Sequence, residues 1–198
     1  MTKKLPPDID PQSGFRLPLP KREDLDETGK RAYDRASTPG KTIVGLRGPS
    51  GIHLYSPKTV EAHTAMSQYL RYQCFDPKIR EVAILTVARE IDSRFEWAAH
   101  EPEALKEAVP QQIIDAIKHR RSTQELDETS AAIIEFGRQI FRDRKVTPEA
   151  FARVRKLFEP TKLVELVLLM GNYAATAALL CAFDMQVPEG KPMLPVDG

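Results

Sequence analysis

The chain has 198 residues, with 29 Lys and Arg against 28 Asp and Glu, and 41% of it is hydrophobic. That length holds one large domain or at most two small ones, and the apolar share suffices for a sizeable core. The charges nearly cancel, so the clustered basic excess of a nucleic-acid footprint is missing and no nucleic-acid partner is expected. The short basic runs, Lys3-Lys4 and Lys118 to Arg121, read as solvated helix ends. The two cysteines, Cys74 and Cys181, lie far apart, without redox or metal-site spacing. Such usage fits a reducing cytoplasm, with both thiols buried and inert among apolar neighbours. Met1-Thr2-Lys3-Lys4 leads into Pro6-Pro7 with no apolar run, so no signal peptide is expected.

Residues 1–21 read as an N-terminal arm. Five prolines (Pro6, Pro7, Pro11, Pro18 and Pro20) fix torsions and remove donors, which favours extended chain over helix. The arm either wraps over the domain or a neighbouring subunit, or is a poorly ordered terminus. Arg22 to Ala36 reads as a modest helix. Ser37 to Pro57, with four glycines and three prolines, reads as a long loop of the kind that often carries function. It holds His53, which either faces a pocket or is a partly buried polar residue.

Ser56-Pro57 and Asp76-Pro77 each join an N-cap to a first-turn proline, predicting helices to about Gln73 and Ile91. The apolar stripe of the second is too wide for a surface helix, so Glu81 falls on or beside a buried face and needs a partner. Asp92 and Ser93 then break the chain. Ser93 followed by Glu96 is a capping-box pattern opening the next helix. Pro102 is expected to break or kink that helix just after His100. Gln111 to Arg120, a helix capped by Asp127 or Thr129, and Thr147-Pro148 to about Phe158 follow. Leu163 to Phe183 has near-membrane length, but Glu165, Asn172 and its alanines point instead to a buried central or interface helix, and no membrane association is expected. Thr42-Ile43-Val44 and Ile52-His53-Leu54 are too short to build a sheet, so the fold class is all-α. Residues 22–190 form one helical domain, and 191–198 form a tail.

Glu81, eleven residues, Ser93, two residues, Glu96, three residues, His100 is an ordered set. It resembles the signature of the carboxymuconolactone decarboxylase / alkylhydroperoxidase-D superfamily, whose peroxidases carry Glu, Cys, Cys and His at these spacings. Here the glutamate and histidine are kept, and Ser93 and Glu96 stand in the cysteine positions. Glu96-Trp97-Ala98-Ala99-His100 is similar to the decarboxylase side of that superfamily. Leu163 to Val167, Met170-Gly171-Asn172-Tyr173, Phe183 and Pro188-Glu189-Gly190 resemble its closing helix. The resemblance covers roughly residues 55 to 190. It implies an AhpD-like helical fold and a homo-oligomer built on trimers or hexamers.

Histidine moves protons near neutral pH, and a carboxylate within reach orients it and tunes its basicity. Glu96 lies one turn from His100 on one helix face. Glu81 is nineteen residues away, about 28 Å along an unbroken helix, so only a fold-back near Asp92 brings the two close, directly or through a water. His100, Glu81 and Glu96 are the catalytic candidates. Glu96 could instead only close the capping box, Glu81 could be a buried structural acid, and His100 a satisfied histidine on a packed helix. Arg80 or Arg94 would hold a substrate carboxylate, with Trp97 as core or pocket wall and His53 as a further candidate contact. No cofactor is expected. No metal site is expected either, because Glu96 and His100 offer two ligands and no third is apparent.

Three functions compete for these residues. The first is a cofactor-independent acid/base enzyme of the decarboxylase type acting on a small carboxylated or lactone-like molecule. The second is a thiol peroxidase, for which Ser93 and Glu96 supply no thiolate. The third is a small-molecule-binding oligomer without activity.

Overall fold

The computed structural model describes residues 5–195, and among them every regular element is a helix. The first four residues of the expected arm, with Lys3-Lys4, and the last three of the expected tail lie outside the described residues. Capping chemistry sets most helix starts. α1 (Glu27–Ser37) is opened by Asp26, α4 (Pro77–Glu90) by Asp76, α7 (Glu128–Arg138) by Asp127 and α8 (Pro148–Leu157) by Thr147, each side chain accepting from a first-turn amide. These are donors that a helix otherwise leaves without partners. α3 (Pro57–Tyr72), α4, α8 and α9 (Pro160–Ala182) all begin on proline, whose missing N–H is harmless in the first turn.

The described residues form two compact units. The first holds the chain up to Ser67 together with Ala178–Gly190. Its arm is tied down. Phe15 is fully buried, the Arg16 amide donates to the Phe183 carbonyl at 2.9 Å, and the Gln186 amide donates to Gly14 at 2.9 Å. The expected loop from Ser37 to Pro57 carries a short helix, α2 (Pro49–His53). Gly51 is required there, since a Cβ would meet the Leu46 carbonyl oxygen at 2.2 Å. Leu19 and Phe15 crowd the same spot, which fixes the arm and this segment to each other.

The second unit comprises Gln68–Ala177 and the described residues from Lys191 onward. α4 is its axis, with every residue from Arg80 to Glu90 buried. It packs against α5 (Arg94–Lys106), α6 (Gln111–Lys118) and α7. Gly137 of α7 lets Thr86 of α4 come close, because a Cβ at 137 would sit 2.6 Å from its methyl group. Between α4 and α5 the chain reverses at Asp92, which takes the left-handed conformation at φ 52°. The Ser93 amide returns to the Ala88 carbonyl at 2.7 Å, ending α4. The Asp92 carboxylate is held by Arg89 and Arg120.

Two expectations are corrected. α5 does not break at Pro102 but continues through it to Lys106. The proline removes a single donor, and Phe95, Trp97, Ala98, His100 and Ala104 remain packed on both sides of it. Cys181 is exposed rather than buried, because it falls on the outward side of α9, whereas Cys74 is buried as expected. Among the described residues α9 is the one helix long and apolar enough to cross a membrane by length and composition. Over half of its most apolar window (56%) is packed inside the protein, and Glu165 and Asn172 are among its buried residues.

Candidate active site

The reversal at Asp92 lays α5 back along α4 and brings Glu81 against His100. Glu81 Oε2 lies 2.8 Å from His100 Nδ1, so the contact is direct and no bridging water is needed. Glu81 is wholly buried and His100 is 5% exposed. The other Glu81 oxygen accepts from Arg80 Nε at 2.8 Å. Burial by itself would raise the Glu81 carboxyl. The His100 ring and the Arg80 guanidinium together outweigh it and hold the group below the ordinary carboxylate range. An ionised carboxylate can only accept, so His100 Nδ1 carries the proton and the lone pair of the neutral ring is left on Nε2.

Arg80 is fully committed to this framework. Besides Glu81 it donates to the Arg71 carbonyl at 3.1 Å and reaches Glu107 at 3.3 Å. It is a positioning residue, with each of its three guanidinium nitrogens already engaged within the protein. The His100 ring meets Tyr173 of α9 edge-to-face, with centroids 5.1 Å apart. Burial raises the Tyr173 hydroxyl above its ordinary value, and the Glu81 and Glu96 carboxyls push in the same direction while Arg71 pulls it down. Tyr173 therefore lies in the field of both acids. Tyr173 falls within the closing-helix resemblance, but nothing in its spacing marks it as a neighbour of His100.

Glu96 does not close the capping box. Ser93 makes no side-chain cap bond, and both Glu96 oxygens are buried without a hydrogen-bond partner. The carboxyl is 3% exposed, and burial raises it to about 8, with the Ser93 hydroxyl opposing weakly. A group in that setting is a neutral acid at pH 7, able to donate a proton or a hydrogen bond. Two carboxyls near one histidine are thus driven apart, Glu81 ionised and Glu96 protonated. Acid and base partners in catalytic sites are set apart by their surroundings in this way.

The remaining candidates fall elsewhere. Trp97 is fully buried, its indole N–H donates to Glu101 Oε2 at 2.5 Å, and Lys118 lies over its ring at 5.6 Å. It is a core residue, engaged by Glu101 and Lys118. Arg94 is exposed at the start of α5. His53 belongs to the first unit, where it stacks on His63 with centroids 4.5 Å apart. Burial, helped by His63, lowers its imidazole to about 4.

Comparison with known proteins agrees with the helical reading. The crystal structure of an alkylhydroperoxidase AhpD core, an uncharacterized peroxidase-related protein from Ralstonia eutropha JMP134, superposes with a TM-score of 0.71. The match covers 89% of this chain and 93% of that one at 13% sequence identity. The chain therefore has the AhpD-like all-α fold. No protein-family model matches it, and no curated protein does.

Proposed function

We propose that this AhpD-fold chain is a cofactor-independent acid/base enzyme of the carboxymuconolactone decarboxylase type, acting on a small carboxylated or lactone-like substrate. The observation that carries the proposal is the buried Glu81–His100 contact with Arg80 locking the acid from its other side. A buried ion pair seldom adds stability over well-packed apolar residues, so an oriented imidazole inside a core asks for another reason. Proton transfer is that reason. His100 Nε2 takes a proton from, or returns it to, a carbon next to a carbonyl. Glu81 keeps the ring oriented and stabilises the charge that develops on it. Glu96, as a neutral acid, donates a hydrogen bond to the oxygen that becomes negative. In a decarboxylation of a carboxylate carried on the carbon next to a carbonyl, His100 first takes a proton from solvent on Nε2; the carbon–carboxylate bond then breaks, carbon dioxide leaves, its electron pair moves into the carbonyl as an enolate, and the Nε2 proton passes to the carbon, returning the ring to its neutral form.

The thiol chemistry of the peroxidase branch has little to stand on. Cys74 is buried, its thiol is pushed up by that burial, and it donates to the Tyr69 carbonyl at 3.4 Å. That is the setting of an inert thiol. We place the protein in the cytoplasm as a homo-oligomer, in line with the unpaired cysteines and the apolar exposed side of α9 (Val164, Val167 and Leu168).

The test is incubation with a panel of γ-lactone and 3-oxo carboxylic acids in deuterated buffer, followed by NMR for carbon dioxide loss and deuterium uptake. Turnover is expected from the parent protein and from Cys74→Ser/Cys181→Ser, and not from His100→Ala. Equal turnover in His100→Ala, or its loss on removal of the thiols, would overturn the proposal.

A further inference from the structure

The acid/base reading leaves one part unassigned: the cation that receives the substrate's carboxylate. Arg80 has each guanidinium nitrogen engaged, by Glu81, the Arg71 carbonyl and Glu107. Arg94 is exposed at the start of its helix. Arg71, in the last turn of α3, is different in three respects. Its Nε is buried yet has no hydrogen-bond partner. Its guanidinium lies 5.1 Å from the Tyr72 ring centroid, an aromatic contact that holds the plane without using its N–H donors. Its charge also bears on the hydroxyl of Tyr173, whose ring edge meets His100.

Arg71 is moreover tied to the dyad by Arg80, whose one guanidinium bonds the Arg71 carbonyl at 3.1 Å and the Glu81 carboxylate at 2.8 Å. A single rigid fork thus fixes the distance between the dyad and the end of α3. A buried guanidinium nitrogen without an acceptor is costly and gains most from a carboxylate, which it can bind through two parallel N–H donors.

We infer that Arg71 is the substrate-binding cation of this site, and that the ligand class is a small carboxylate whose acid group docks on Arg71 while its reacting carbon lies toward His100 Nε2. Tyr72, 56% exposed, with the Arg71 and Arg80 guanidiniums 5.1 and 5.7 Å from its ring centroid, forms the outer wall of that anion site. The assignment rests on the acid/base reading for its second half only, since anion binding can be measured without turnover.

The probe is 5-oxotetrahydrofuran-2-carboxylate, with its methyl ester as the uncharged control, titrated against the full chain by NMR at pH 7. The wild type should prefer the acid over the ester. Arg71→Met should reduce that preference at least about ten-fold, Arg71→Lys should restore part of it, and His100→Ala should keep it. Comparing acid with ester inside each variant removes any effect of the substitution on folding. A wild type that binds acid and ester alike, or an Arg71→Met variant that keeps the full preference, overturns the assignment. If the preference vanishes in Arg71→Met while wild type and His100→Ala turn over the panel equally, the anion site stands and the acid/base reading falls. If the preference survives in Arg71→Met while His100→Ala is inactive, Arg71 alone is withdrawn.

Discussion

The α4–α5 hairpin buries four carboxyls and treats them in two ways. Glu90 and Glu101 face permanent cations. Glu101 takes the Trp97 N–H at 2.5 Å and Lys118 at 3.1 Å, and Glu90 faces Arg120, Arg138 and Arg142 at 3.4 to 3.8 Å. Glu81 instead divides its oxygens between the Arg80 guanidinium and the His100 ring, and the Glu96 oxygens have no hydrogen-bond partner. An acid whose partners are all guanidiniums, ammoniums or an indole N–H serves the architecture. An acid paired with imidazole, or left bare and protonated, can exchange a proton. The same two helices thus carry a structural end and a chemical end, and the kind of partner tells them apart better than burial does.

The comparison is sharpened most by substitutions that should separate activity from stability. At the chemical end, Glu81→Gln is expected to lower turnover of any substrate found with the lactone panel by about 10²- to 10⁴-fold, because the ring loses its orienting acceptor. The protein should stay folded, as shown by circular dichroism. At the structural end, Glu90→Ala should cost about 3–5 kcal/mol in urea unfolding, since it breaks a buried ion cluster from one side. Specific activity per folded molecule should be preserved. If Glu90→Ala abolished activity at full stability, the division between the two ends would collapse.

A smaller effect tests the bare acid. Glu96 is raised in the folded protein from 4.5 to about 8. Between these values the folded state holds a proton that the unfolded chain has released, so stability is full below about 4.5, falls as pH rises to about 8, and levels off above it. Glu81 has the opposite sign: its contribution is present above the unfolded value of 4.5 and lost as pH falls through its lowered folded value. Glu96→Gln should therefore gain on wild type steadily from pH 5 to pH 8 in urea midpoints. Parallel midpoints across that range would show that Glu96 is not held protonated. The smallest effect is expected at Arg94. Arg94→Ala on the exposed helix start should change stability by less than about 0.5 kcal/mol and leave carboxylate binding as it was.

Much of the architecture could be read in advance because its signals are local. Asp76-Pro77, Asp127 and Thr147-Pro148 each open the helix their side chains predict. The Glu81 and His100 pair came from its spacing within a known signature, and the fold-back at Asp92 completes it. What escaped was three-dimensional in origin. A direct Glu81–His100 bond depends on how far two side chains reach across a hairpin, which periodicity does not encode. Ser93 and Glu96 satisfy the capping-box pattern, yet packing turns Glu96 away from it. Arg71 and Tyr173 sit on α3 and α9 and share a neighbourhood only through tertiary packing. The sole local hint at Arg71 was its place beside Tyr72 at a helix end. Pro102 shows the converse, a strong local signal overruled by packing on both of its flanks.

The central claim is that Glu81 fixes the proton of His100 on Nδ1 and leaves Nε2 free to act. Nitrogen-15 NMR of the imidazole in wild type and Glu81→Gln reads this directly. In wild type, Nδ1 should carry the proton and be protected from exchange, with Nε2 responding to added carboxylate, and Glu81→Gln should lose that protection. A wild-type ring carrying its proton on Nε2, or one indifferent to the Glu81→Gln change, would contradict it.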